Sequence, residues 1–324
     1  MTAEVAAIIP THDRAALLPT TLRSVLWQRD VELEAVVVDD GSSDETTEVV
    51  DRLGDPRVRL VRNETPQGVS AARNRGAALA RARWLAFCDD DDLWAPDKLA
   101  RQVAAAEASG RRWAYGGAVH VSIDLRVLSA HLPPSPDRLV ARLPSWNLMP
   151  GGSSNVIVRA DAFESCGGWD HGLVNLADWD LWARLAQDGL PAEVRAPLIG
   201  YRIHDGNASR DIGLILREAN LIDGRYGAQL DVGELHHYLA WVYLRRGHRR
   251  SAVRHLASAA LRGQGRAVAQ SVTGLAQRRF GKLVPAVRPR SKPGHDEWVA
   301  EAETWIAPLR ETGGAAWPVL GSDR

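Results

Sequence analysis

Four short apolar runs most constrain what this chain can fold into. VAAIIP (5–10), LEAVVVDD (33–40), VRLVRN (58–63) and WLAFCDD (84–90) are each followed by residues with helical spacing, over 15–28, 43–53, 69–82 and 96–108. The runs are continuous rather than alternating, so both faces of each strand must be covered. Strands of that kind separated by helices imply a parallel sheet with helices on both sides. Such sheets bind ligands outside the carboxyl ends of their strands. His12 and Asp13, Asp39 and Asp40, and the run Asp89–Asp92 all fall at such ends. The charge is gathered into one crevice.

The densest charge is in WLAFCDDDDLW (84–94), where four aspartates close a buried strand. Neighbouring carboxylates at a poorly solvated edge repel one another, and a solvated acidic turn is the bland alternative. At the ligand edge of a sheet, a divalent cation is an economical counter-charge. Hard carboxylate oxygens suit Mg²⁺ or Mn²⁺, which in turn bridge phosphate oxygens. The pattern points to a nucleoside diphosphate held through a metal.

Beyond residue 110 the pattern changes. YGGAVHVSI, SNVIVRA and LIGYRIH read as further strands, 178–187 as a helix and the Pro-rich segment 131–150 as a lid or linker. From Leu214 onward the spacing is helical, with two helices joined at Arg246-Gly247-His248 in the manner of one tetratricopeptide-type pair. The expected organisation is an α/β domain over 1–212, with a nucleotide-binding half (1–110) and an acceptor or catalytic half (111–212). A helical region over 213–285 follows, serving acceptor choice or pairing two copies as a homodimer. A tail over 286–324 carries a short amphipathic helix around Trp298 and Trp305.

Composition excludes several classes. Forty basic residues balance 40 acidic ones, so no global field favours nucleic acid or a membrane surface. No apolar run reaches the length of a membrane span, and none is expected. Cys88 and Cys166 are the only cysteines, too few for a disulfide framework. The opening MTAEVAAIIPTHDR lacks the layout of a secretory leader, and a cytoplasmic location is expected. Cys88 reads as a small core hydrophobe rather than a nucleophile.

Six segments appear together in an order that resembles the family 2 glycosyltransferases of the GT-A fold. They are AAIIPTHDRAALLPTTLRSVLWQ, AVVVDDGSSDETTEVV, GVSAARNRGAALARARWLAFCDDDDLWAPDKL, GGSSNVIVRADAFESCGGWD, LADWDLWARLAQDG and YRIHDGNAS. The resemblance covers residues 5 to about 210 and implies an inverting, metal-dependent transfer from a nucleoside-diphosphate sugar to an acceptor hydroxyl. A UDP-sugar is the favoured donor, with GDP- and dTDP-sugars as alternatives, and the acceptor is left open.

The resemblance also implies roles. Pro10, Thr11 and Arg14 match the first nucleotide-contacting loop. Asp39, with Asp40 beside it, matches the aspartate that bonds the nucleobase, and a carboxylate can accept the N3–H of uracil. Arg73 matches the arginine facing the nucleotide. Asp89 and Asp91 match the ends of the D-x-D signature, with Asp89 and Asp90 on the nucleotide side and Asp91 on the metal, Mn²⁺ or Mg²⁺. His204 matches a third metal ligand found in some members. Asp178 matches the catalytic base; Asp180 is its competitor, and Ala177 stands where the family carries glutamate. The alternatives are a retaining GT-A transferase and a catalytically impaired GT-A scaffold.

Overall fold

The structure, a computed structural model, describes residues 3–204, 211–227, 229–269, 271–272 and 295–311. It divides into two units, one made of Met1–Ala141, Leu148–Asp205 and His295–Arg324, the other of Arg142–Asn147 and Gly206–Gly294.

The first unit opens with the alternation read from the sequence. β1 (Val5–Thr11), β2 (Leu33–Asp39), β3 (Val58–Arg62) and β4 (Trp84–Phe87) alternate with α1 (Leu18–Leu26), α2 (Thr46–Leu53) and α3 (Val69–Leu79). Next come β5 (Leu93–Trp94), α4 (Lys98–Ser109), β6 (Trp113–Ser122), β7 (Val127–His131), α5 (Pro136–Arg142), β8 (Ile157–Arg159), α6 (Ala160–Ser165), α7 (Ala177–Asp188) and β9 (Ala192–Ile203). One sheet runs in the order β3-β2-β1-β4-β8-β6-β9-β5, with β7 beside β6. The first four strands are parallel, as expected. Past β4 the sheet is mixed: β8 is antiparallel to both neighbours, β6 and β9 are parallel, and β5 is antiparallel to β9.

Val5 to Ile9 and Ala35 to Val38 are wholly buried, as strands covered on both faces must be. Pro10 costs no ladder bond. Ile8 offers its carbonyl to Cys88 across the β4 side, and the last β1–β4 pair is Ile8 with Phe87. Pro10 faces the same way but lies past that pair. Helix α3 approaches β1 closely because of Gly76, where a Cβ would lie 2.5 Å from Ile8 Cγ2.

The unit is completed from far along the chain. Residues 286–324, set apart as a tail in the sequence, contain α11 (His295–Glu311), a 17-residue helix of the first unit. Its Ala302, Trp305, Ile306 and Leu309 join the sheet core with Leu198 and Ile199. Gly117 makes room for Trp298, since a Cβ there would lie 2.0 Å from Trp298 Cζ3. The helix also covers the edge of β7: Glu303 accepts from Val127 N at 3.4 Å and His295 Nε2 from Ala130 N at 3.3 Å. Unpaired strand edges invite association, and this one is closed.

The second unit is helical. α8 (Ile212–Arg225) and α9 (Val232–Arg245) are capped by Asp211 and Asp231, whose carboxylates accept from Leu214 N and Glu234 N at 2.9 and 3.0 Å. α10 (Arg249–Ala259) follows the predicted turn and packs along α9. Among the described residues no helix is long and apolar enough to cross a membrane.

Candidate functional site

The strand ends of the first unit build the site. Thr11 closes β1 in register with Asp39, and Asp40 N donates to Thr11 O at 2.8 Å. Asp39 is fully buried; its Oδ1 accepts Ser42 N at 2.9 Å and its Oδ2 the Thr47 hydroxyl at 3.0 Å. Asp40 accepts Asn63 Nδ2 at 2.6 Å, Gln67 N at 2.8 Å and Gly68 N at 2.7 Å. The adjacent aspartates therefore do different things: Asp39 shapes the turn into α2, and Asp40 ties the loop entering α3. Gly41 makes the turn with φ of 76°, and a Cβ there would lie 3.0 Å from Pro66 Cδ. Asp13, itself at φ 51°, accepts Ser43 N at 2.7 Å and so binds the first loop to the second.

The four aspartates after β4 turn in four directions. Asp89 meets Arg73 Nη2 at 2.5 Å and accepts the Ser153 hydroxyl at 2.8 Å. Asp90 faces Arg14 Nε at 3.4 Å. Asp91 Oδ2 lies 2.8 Å from His204 Nε2. Asp92, fully buried, accepts Ser154 Oγ at 2.6 Å and Arg202 N at 3.1 Å. Burial, reinforced by the charge of Asp91, lifts Asp90 to about 7 and Asp92 well above the carboxylate range. Much of the counter-charge comes from the chain itself. Arg14 and Arg73 were singled out in the sequence; the buried Arg202 was not, although its charge acts on Asp90, Asp91 and Asp92. It stands at the end of β9, two residues before His204.

Arg73 is held by more than Asp89. Its guanidinium lies 4.4 Å from the Trp169 ring centre, and Asn74 clamps the Trp169 backbone by accepting Trp169 N at 2.9 Å and donating to Trp169 O at 2.8 Å. The sequence gives Ser153 and Ser154 no role, and Ser154, read there as the start of a strand, lies with Ser153 in the single turn Gly152–Asn155 before β8. Ser153 accepts from Arg73 at 2.9 Å while donating to Asp89, and Ser154 receives Asp89 N at 3.0 Å. The same turn faces Asp178, because a Cβ on Gly152 would lie 3.6 Å from Asp178 Oδ2.

The two acids that open α7 are separated. Asp180 is fully buried and accepts Arg184 Nε and Nη2 at 2.9 and 2.7 Å. Asp178 is partly buried, accepts Trp179 N at 2.7 Å, and interacts with the charges of Arg73 and Asp89. Desolvation pushes its carboxyl up to about 6. One acid is tied to the scaffold and the other belongs to the crevice.

Residues 6–167, half of the chain, match the family model described as glycosyl transferase family 2. The chain belongs to glycosyl transferase family 2. The chain is 36% identical over 158 residues to the succinoglycan biosynthesis protein ExoO of Rhizobium meliloti, across 49% of this chain and 44% of that protein, so it spans less than half of that relative's length. It is 24% identical over 221 residues to WfaP of Escherichia coli, named a UDP-Glc:alpha-D-GlcNAc-diphosphoundecaprenol beta-1,3-glucosyltransferase, across 67% of this chain and 85% of that one. S. aureus TarS 1-349, solved in complex with UDP-GlcNAc, shares the fold with a TM-score of 0.53 at 17% identity, over 68% of this chain and 66% of that one.

Two residues of the crevice could together hold a divalent cation. Asp91 and His204 offer a carboxylate oxygen and an imidazole nitrogen to the same place, beside carboxylates whose mutual repulsion a cation would relieve. Among the described residues no group of three His, Cys, Asp or Glu forms. Cys88 sits in the core, where burial pushes its thiol up.

Proposed function

We propose that the protein transfers a sugar from a nucleoside-diphosphate sugar to an acceptor hydroxyl with inversion, and that Asp178 is the base. The observation that carries this reading is the separation on α7: Asp180 is neutralised by Arg184, while Asp178 stands against the Arg73–Asp89–Ser153 cluster with its carboxyl at about 6. A base near that value is ionised at neutral pH yet more basic than an ordinary aspartate. Asp178 would take the acceptor proton as oxygen attacks the anomeric carbon from the face opposite the leaving group.

The nucleotide would lie across the ends of β1, β2 and β4. Pro10, Thr11 and Arg14 would border it on one side and Arg73, Asp89 and Asp90 on the other. Asp39 and Asp40, whose carboxylates are engaged by the loops, would shape the base pocket. Mn²⁺ or Mg²⁺, held by Asp91 and His204, would offset charge developing on the diphosphate. A UDP-sugar is the favoured donor, in keeping with the donor in WfaP's name and the ligand solved with TarS.

Incubation with a panel of nucleotide sugars, with and without Mn²⁺, tests the reading through release of free nucleoside diphosphate and the anomeric configuration of the product. Metal-stimulated release from one donor class, with inversion, is expected. A retained configuration, or no release from any donor while nucleotide still binds, would overturn it.

A further inference from the structure

We propose that the second unit docks on an anionic lipid bilayer through the outward face of α10 and the turn after it. From Leu235 to His295 the sequence holds 13 Lys and Arg residues and no Asp or Glu, while the rest of the chain has 27 basic residues against 40 acidic. A chain neutral in total is strongly polarised along its length. Arg246, Arg249, Arg250, Arg254, Arg262 and Arg266 are all exposed. The ion pairs described in this unit join Arg142 to Asp231 and Arg217 to Asp211, and use none of those six.

Helical spacing sorts α10 into two faces. Ala252, Leu256 and Ala259 are buried. On the opposite side stand Arg250, Val253, Arg254 and Ala257, with Leu261 continuing the row. Val253 is 63% exposed and Leu261 is 87% exposed. A basic face that merely keeps a protein soluble gains nothing from large aliphatic side chains held in water between its arginines. A membrane interface uses both, with guanidinium groups on lipid phosphates and aliphatic groups at the acyl boundary. Nucleic acid would use the charge alone, because Val253 and Leu261 offer no flat ring for a base to stack on. The inference is independent of the transfer chemistry.

The test is sedimentation of the full chain with vesicles of mixed phosphatidylglycerol and phosphatidylcholine, against vesicles of phosphatidylcholine alone. Binding to the mixed vesicles only, weakening as salt rises, is expected. Each arginine near such a surface contributes about fivefold, so the combined Arg249→Gln, Arg250→Gln and Arg254→Gln variant should bind on the order of a hundredfold more weakly. Leu261→Ser should remove the part of the binding that survives added salt. Both variants lie on the surface and should keep the wild-type circular dichroism spectrum. Equal binding to the two vesicle types, or wild-type binding by the triple variant, would overturn the proposal. So would tighter binding to a single-stranded RNA than to the mixed vesicles, unchanged by Leu261→Ser.

Discussion

The two units of this protein use the same residue type in opposite ways. Around the crevice of the sheet unit, arginine is buried or half-buried and aimed: Arg73 at Asp89, Arg14 at Asp90, Arg184 at Asp180. In the helical unit, Arg246 through Arg266 stand in water along an acid-free stretch. The difference is one of dielectric. A buried ion interacts strongly with one neighbour at a fixed distance, so position is everything. Exposed charges act as a sum, are screened by salt, and tolerate exchange. A formal net charge of zero conceals both, because it adds a set of local partnerships to a field.

That contrast can be broken or sharpened by substitution, beginning with the largest expected effect. Asp178→Asn should lower turnover by roughly 10²–10⁴ with donor affinity near wild type, the mark of a group used only in the transition state. Steady-state kinetics with a competent donor checks this, and full activity in Asp178→Asn beside an inactive but folded Asp180→Asn would reverse the assignment. Asp180→Asn should instead destabilise by about 3 kcal/mol in denaturant, because it strands Arg184 beside a neutral amide. Gly117→Ala should cost about 1–3 kcal/mol by forcing Trp298 off its seat. Arg250→Gln, on the exposed face, should change stability by less than about 0.5 kcal/mol. A large loss there would mean that the helical unit's charges are aimed after all.

Titration sharpens the same contrast. The folded Asp178 carboxyl sits at about 6, above the ordinary aspartate value of 3.8, so the folded state binds more protons than the unfolded chain between those values. Stability from this group is full below about 3.8 and is lost as pH rises through 6. Asp178→Asn should therefore melt at or above wild type at neutral pH, an advantage that fades towards about pH 4. Turnover should run the other way, falling as pH drops through about 6 because the base becomes protonated. Melting curves and a pH–rate profile on the two proteins test both signs.

The first four strands and their helices were legible because burial on both faces leaves a continuous apolar run that nothing else explains. What lay beyond was harder to read for identifiable reasons. β5 is two residues long and β7 reads VLSAH, and neither is long enough to show a period. Helix α5 hides in a Pro-rich segment because Pro136 opens it, and proline is tolerated at a first helical turn. The aspartates of the crevice were visible as charge at strand ends. Their partners Ser153, Ser154 and Arg202 were not, since a serine pair or a lone arginine carries no pattern until the sheet brings it against a carboxylate.

Helix α11 gives the molecule a history as well as a shape. The chain leaves the sheet unit near residue 205, builds the helical unit, and returns with His295–Glu311. On a ribosome adding about 5–20 residues per second, the sheet would wait several seconds for the helix that covers Gly117 and the β7 edge. For that interval the nascent protein would carry an open strand edge and an uncovered apolar face. A chain cut near residue 210, tempting because it ends where the sheet strands do, would make that interval permanent. The more informative truncation removes 213–285 and splices residue 212 to residue 286, keeping the last helix with the sheet it completes.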